Sequence, residues 1–168
     1  YLRKMYRWFL ENNPNLCLAA EQNGKIAGYV VGAFGGYGRK IFRYAIWEVV
    51  LGLLLRPGLW FRKGTFTLSR VGFRVFLPAR IQGQGSSPIL VSVSLSDIGV
   101  KPSARGQGIG KLLVQAFEQA AAEQGAQRLT LSVDMDNLPA RSVYEKCGWQ
   151  VDATYPERNS VHYQKLTS

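Results

Sequence analysis

The chain is poor in the residues that usually bind metals or form disulfide bonds. It has two cysteines and one histidine in 168 residues. Cys17 and Cys147 lie far apart and show no zinc-ligand spacing, and both fall within apolar elements, so we predict buried free thiols and no metal site. Free thiols are typical of a reducing compartment, which favours the cytoplasm.

Acidic residues and long apolar runs are also scarce. The chain has 11 acidic residues against 21 basic residues, a net charge of +10. Nine of the basic residues and one acidic residue lie in 37–84, so this segment alone carries +8. Its apolar run from Tyr44 to Leu55 is interrupted by Glu48 and is shorter than the roughly 20 residues needed to cross a bilayer. The run is therefore not predicted to span a membrane.

The segment 37–84 leaves several interpretations open. Its apolar residues are typical of a helical lid over an acceptor groove or of a contact in a homodimer. Basic residues flanking an aromatic and leucine-rich helix also favour peripheral contact with an anionic membrane. Nucleic-acid binding is the least favoured alternative, because the leucine content exceeds what phosphate contact requires.

A glycine-rich run separates an apolar strand from an amphipathic helix. Residues 105–110 read Arg-Gly-Gln-Gly-Ile-Gly. The first amides of a helix lack intrahelical partners and carry partial positive charge, so they bind phosphate well. Three glycines give close access, and Arg105 and Lys111 add positive charge. The run is neither a P-loop nor a dinucleotide fingerprint, and a tight turn is its simpler interpretation.

The elements around this run follow from periodicity and turn signals. We predict a helix over Leu2 to Leu10, a hairpin of Leu16–Ala20 and Lys25–Val31 turning at Asn23-Gly24, a strand over Arg128–Val133 and a helix opened by Pro139. The helix after the glycines is predicted over Gly108–Gln124, ending at Gly125. Its predicted buried face consists of Ile109, Leu112, Leu113, Ala116, Phe117, Ala120 and Ala121.

Two blocks of the sequence, residues 97–113 and 129–149, resemble the GNAT superfamily of acyl-CoA-dependent N-acyltransferases. The phosphate loop of that family, Gln/Arg-x-x-Gly-x-Gly/Ala, is matched by Arg105, Gly108 and Gly110. Asn137 and Tyr144 match its asparagine after the second strand and its tyrosine on the next helix. The resemblance implies an α/β fold with a mixed, mainly antiparallel sheet that contains a splayed parallel strand pair and is flanked by helices.

The resemblance also implies that acetyl-CoA is the co-substrate, with no metal. The pantetheine arm is expected to bind the strand ending at residues 98–100, and an amine would attack the thioester directly. Tyr144 would donate a proton to the departing thiolate, although a structural hydroxyl is the alternative. The coenzyme-binding residues implied are Ile98, Gly99, Val100, Arg105, Gly106, Gln107, Gly108, Ile109, Gly110, Lys111, Asn137 and Tyr144.

The general base stays open between three residues. Asp97 precedes the end of the pantetheine strand and could accept a proton through water, but it could equally cap a turn or pair with a cation. Glu21 at the end of an earlier strand is a weaker candidate. His162, the single histidine, is expected on the last strand and could titrate near neutrality or be structural.

Length and composition indicate one domain over 1–168, with a helical insertion at about 37–84. Because the family begins with a strand and a helix upstream of this point, we expect those elements to be missing from a chain that starts at Tyr1. The predicted function is transfer of an acetyl group from acetyl-CoA to a primary amine. The alternative is an inactive coenzyme-binding sensor or a peripheral membrane module.

Overall fold

A computed structural model describes residues 2–38, 40 and 90–167. Contacts divide the chain into two units: Tyr1–Tyr6 with Gly36–Ile89, and Arg7–Gly35 with Leu90–Ser168. The predictions for a lid, a dimer contact or a membrane contact in 37–84 fall almost entirely outside the described residues. Among the described residues, no helix combines the length and apolar character that a bilayer crossing requires.

The predicted elements outside 37–84 are all present in the predicted order, and the structure adds the strand Gln150–Tyr155, which was not predicted. The helices are α1 (Leu2–Asn12), α2 (Ile109–Glu123) and α3 (Leu138–Lys146). The strands are β1 (Cys17–Gln22), β2 (Lys25–Phe34), β3 (Ser92–Val100), β4 (Arg128–Asp134), β5 (Gln150–Tyr155) and β6 (Ser160–Leu166). Short 3-10 turns occupy Pro14–Leu16, Pro102–Ala104 and Pro156–Arg158.

The strands form one six-stranded sheet in the order β1-β2-β3-β4-β6-β5. Every pair is antiparallel except β3 with β4. This confirms the mixed, mainly antiparallel sheet with a parallel pair at its centre. The β1–β2 hairpin turns at Asn23-Gly24, whose φ angles of 52° and 70° are both positive, as tight hairpin turns of this length require.

The parallel pair separates halfway along β3. Pairing with β4 covers only Ser92–Leu95 against Arg128–Leu131, although β3 runs on to Val100 and β4 to Asp134. At the same point β3 carries a bulge: Leu95 lies opposite Gly32 and Asp97 opposite Val31, so Ser96 is the extra residue. A bulge bends and twists its strand. The second half of β3 therefore stays paired with β2 while its other edge opens away from β4.

Helix α2 packs against the sheet through Leu113, Val114 and Phe117, all of which are buried. The predicted apolar face was wrong at Leu112, which is 63% exposed, and at Ala116, which is also exposed. The buried stripe includes Val114 instead. The helix is therefore rotated about its axis relative to the predicted orientation. Its first two turns set this rotation, because Ile109 and Leu113 both approach β2 near Gly28.

Two glycines of β2 allow that close approach. A Cβ atom at Gly28 would lie 2.8 Å from the Gly99 oxygen and 3.0 Å from a Leu113 methyl group. At Gly32 it would lie 2.6 Å from the Ser94 oxygen and collide with the Phe117 ring. The sequence reading did not single out these positions, because the partners of a strand glycine lie far away in the chain.

Two further local predictions need correction. Asn137 caps α3, so Leu138 is its first residue and Pro139 occupies the second position, where a missing amide hydrogen is equally well tolerated. Cys147 is buried as expected, but Cys17 is only half-buried and its thiol donates a hydrogen bond to the Asn13 carbonyl, 3.3 Å away. Both thiols are free, and burial raises the pKa of each.

Candidate functional site

A cavity of about 730 Å³ opens where β3 leaves β4, between the start of α2 and one face of α3. It lies entirely within the unit formed by residues 7–35 and 90–168. Most of the predicted coenzyme-binding residues surround it. The lining residues are Ile98, Gly99, Val100, Ala104, Arg105, Gly106, Gly108, Ile109, Gly110, Lys111, Val114, Asn137, Pro139, Ala140, Val143, Tyr144 and Lys146.

The start of α2 leaves its amides available. Gly106 and Gly108 have φ angles of +76° and +79°, a region that side chains rarely allow, and no described atom lies within 4 Å of where a Cβ would be. No side chain caps the helix at Gly108. The first backbone bond into the helix is donated by Leu112 to the Gly108 carbonyl, at 3.0 Å. None of the described residues accepts a bond from the amides of 109–111, so these amides can bind an anion.

Side chains hold the loop in this shape. The Arg105 Nε atom donates to the Val100 carbonyl at 3.2 Å, which anchors the guanidinium across the end of β3. Gln107 points differently: its side chain accepts a bond from Gln22 at 2.9 Å and donates to the Ser103 carbonyl at 3.2 Å. Gln107 is the one residue predicted to bind the coenzyme that does not line the cavity. Its side chain braces the loop.

Tyr144 is one of the residues that line the cavity. The side chain is 5% exposed, and its ring lies 6.1 Å from the Trp149 ring and 6.0 Å from the Tyr163 ring, measured between centroids. No described residue forms a hydrogen bond with its hydroxyl oxygen. Burial, and secondarily the negative charge of Asp97, raises the pKa of Tyr144 to about 12. The hydroxyl is therefore protonated across the physiological range, as a hydrogen-bond donor must be.

Asp97 is on β3 directly after the bulge. Its carboxylate accepts a hydrogen bond from the Tyr29 hydroxyl at 2.9 Å, and the Tyr29 ring covers Gly99. Asp97 does not line the cavity itself, but its charge acts on Tyr144.

The two weaker base candidates are not part of this cavity. Glu21 is exposed near the end of β1, and the ring of His162 on β6 lies 4.7 Å from the ring of Tyr155 on β5. Neither residue lines the space that contains Tyr144. Within the described ranges 2–38, 40 and 90–167, no group of three or more histidine, cysteine, aspartate or glutamate side chains is placed to bind a metal ion.

Asn137 lies in the turn between β4 and α3. Its side-chain oxygen accepts a bond from the Ala140 amide at 3.3 Å, which caps α3. Asn137 lines the cavity, and its side-chain nitrogen has no partner among the described residues. The sequence reading missed Lys146, the cation that α3 adds to the wall, although it lies inside the second resembling block, two residues after Tyr144.

Comparisons with known proteins agree with this geometry. Residues 90–149 match the Acetyltransferase (GNAT) family. A mycothiol acetyltransferase of Arthrobacter sp. (strain FB24) is 35% identical over 80 residues, which are 46% of this chain and 24% of that protein. A putative ribosomal protein bS18-alanine N-acetyltransferase of Bacillus subtilis (strain 168) is 34% identical over 62 residues, 37% of this chain and 41% of that protein.

The fold is also that of solved structures. A chain in the NatC complex bound to Gag peptide and CoA has a TM-score of 0.63 at 16% sequence identity, with 100% of this chain and 81% of that chain covered. At that identity the likeness concerns the fold alone. The matched stretch spans less than half the length of either curated relative named above.

Proposed function

We propose that this chain, a member of the GNAT superfamily of acetyltransferases, transfers an acetyl group from acetyl-CoA to a primary amine. One observation carries the proposal. The start of α2, with its free amides, and Tyr144, whose raised pKa keeps it protonated, line the same cavity at the point where the sheet opens. A phosphate site and a hydroxyl donor in one space suit a substrate with an anionic handle and a reacting centre some distance away.

The charged and hydrogen-bonding groups of coenzyme A match those of this cavity. Its diphosphate would take the amides of 109–111 and the charge of Arg105, which the Val100 carbonyl holds in place. Its amide-containing arm would bond to the unpaired edge of β3 beyond Leu95, as an extended peptide adds to a sheet edge. The Asn137 side-chain nitrogen offers a further donor on the opposite wall.

The reaction then needs three protein contributions. An amide of the open β3 edge would polarise the thioester oxygen, which becomes negative as the amine attacks. Asp97, oriented by the Tyr29 hydroxyl, would accept the proton that the amine releases, through an intervening water. The Tyr144 hydroxyl would donate a hydrogen bond to the departing thiolate. No covalent enzyme intermediate is required.

An assay of thiol release from acetyl-CoA tests the proposal. The panel should contain amino sugars, polyamines, free amino acids and peptides with a free N-terminus, including one that begins with alanine. Release above the uncatalysed rate with at least one of these amines is the expected result. Coenzyme binding by calorimetry without release from any of them would favour the inactive sensor, and absence of both would refute the proposal.

We also infer peripheral contact with an anionic membrane from the +8 charge and leucine content of residues 37–84. Co-sedimentation with anionic vesicles should weaken as salt is raised and vanish with neutral vesicles. Binding that ignores both salt and lipid charge would contradict this inference. A homodimer formed through the same segment would instead appear as a doubled mass in sedimentation equilibrium without lipid.

A further inference from the structure

Three cations line the cavity, and the proposed diphosphate site uses only one of them, Arg105. Arg105 lies in the loop, Lys111 in the first turn of α2, and Lys146 in the last turn of α3. No carboxylate of the described residues forms an ion pair with any of them. Unpaired positive charges around a mostly apolar cavity indicate a site for anions.

Lys111 on α2 and Lys146 on α3 both line the cavity. Burial, followed by the charge of Glu118, raises the pKa of Cys147, and the charges of Lys165 and Lys111 act in the opposite direction. The charge of Lys111 therefore acts on the residue that follows Lys146, and both lysines line one cavity. A doubly charged anion bound in this cavity would be attracted by both ammonium groups.

Stabilising the end of α3 is the simpler role for Lys146, because cations favour helix C-termini. That role is already filled. The Lys165 ammonium donates to the Cys147 carbonyl at 2.6 Å and to Glu118 at 2.7 Å. Lys146 instead lines the cavity, and no described residue pairs with its ammonium group.

Coenzyme A carries two separate anionic groups: the diphosphate and a phosphate monoester on the ribose 3′ position. The start of α2 can serve one of them. We propose that Lys111 and Lys146 bind the 3′-phosphate and so make the enzyme discriminate coenzyme A from dephospho-coenzyme A. This inference rests on the proposed function. A monoester carries between one and two negative charges near neutral pH, which matches two ammonium groups.

Calorimetric titration of coenzyme A and dephospho-coenzyme A into the same protein variants tests the inference. The wild type should bind coenzyme A about tenfold more tightly or better, since a hydrogen bond to a charged group is worth that much in affinity. Lys146→Gln should weaken coenzyme A binding about three- to tenfold and change dephospho-coenzyme A binding less than about twofold. Lys146→Arg keeps the charge and should retain most of the preference.

Lys101→Gln is the matched control, because it removes the same charge just before the loop but from a residue that does not line the cavity. It should leave the preference unchanged, and thermal unfolding should show that all variants are folded. A wild type that binds both compounds equally would refute this inference and leave the proposed function intact, as would equal weakening of both compounds in Lys146→Gln. A wild type that binds neither would overturn the proposed function itself.

Discussion

Replacing Tyr144 with phenylalanine removes one hydroxyl and keeps the ring contacts with Trp149 and Tyr163. The expected size of the effect follows from the tyrosine's pKa of about 12. A thiol ordinarily ionises near pH 8.5, so complete proton transfer from Tyr144 to a thiolate is uphill by about 3.5 units, about 5 kcal/mol. The hydroxyl should therefore act mainly by donating a hydrogen bond to the sulfur as negative charge develops.

A hydrogen bond to a charged group contributes about 1.5–3 kcal/mol, so Tyr144→Phe should lower kcat about 10- to 150-fold. Its affinity for coenzyme A should change less than about twofold, because the hydroxyl acts on the leaving sulfur and not on the phosphates. The ratio of wild-type to variant rates should stay constant from about pH 7 to pH 10, since Tyr144 remains protonated throughout.

Stopped-flow detection of thiol release, with calorimetry for affinity, measures these quantities. Tyr155→Phe is the matched control, because Tyr155 is a partly buried tyrosine outside the cavity whose ring contact with His162 survives the change. An unchanged kcat would remove Tyr144 from the chemical step. A rate ratio that collapses between about pH 8 and pH 9 would mean that the hydroxyl ionises far below its expected pKa, and the hydrogen-bond argument would fail.

Three further predictions concern the loop, the core and alkaline stability. Gly108→Glu should abolish coenzyme A binding measured by calorimetry, whereas Gly125→Glu, at an equally left-handed and uncrowded position, should only lower stability. Equal affinities of the two variants for coenzyme A would contradict the placement of the phosphate. Glu118→Ala should lower the free energy of unfolding in urea by about 2 kcal/mol, because it leaves Trp149 Nε1 and the Lys165 ammonium without their shared partner. Glu118→Gln should cost less than about half of that, and the reverse order would show that the ion pair dominates. The pKa of Tyr144 rises from 10.0 to about 12 on folding, so its stabilising contribution is complete below pH 10 and is lost as pH rises towards 12. Over that range the wild type should lose about 3 kcal/mol more of its free energy of unfolding than Tyr144→Phe does. Parallel curves of unfolding free energy against pH would refute the shift.

The parts of the fold set by local backbone chemistry could be predicted from the sequence. Asn23-Gly24 specifies a tight hairpin, and Gly125 ends α2 because only glycine adopts its φ of +78° without strain. The glycines of 105–110 mark a loop whose amides stay free. These signals act within a few residues, so they can be read without knowing what lies across the fold.

Contacts made across the fold could not be predicted in this way. The rotation of α2 that exposes Leu112 depends on Gly28 and Gly32, which lie in another element. The bonds from Trp149 and Lys165 to Glu118 join residues 31 and 47 positions apart. The bulge at Ser96 leaves no mark in its own strand's alternation, because it is defined by the register against β2.

The placement of Tyr144 combines both kinds of signal. The Trp149 amide donates to the Tyr144 carbonyl at 3.1 Å and the Gly148 amide to the Glu145 carbonyl at 3.0 Å, while Gly148 has a φ of +82°. This is the glycine-terminated helix ending in which the residue after the glycine packs back on the last turn, here Trp149 on Tyr144. Glu118 then holds the Trp149 Nε1 atom at 2.6 Å and so fixes that ending to α2. The spacing Tyr-x-x-x-Gly-Trp therefore positions Tyr144 relative to the helix that begins at the phosphate loop.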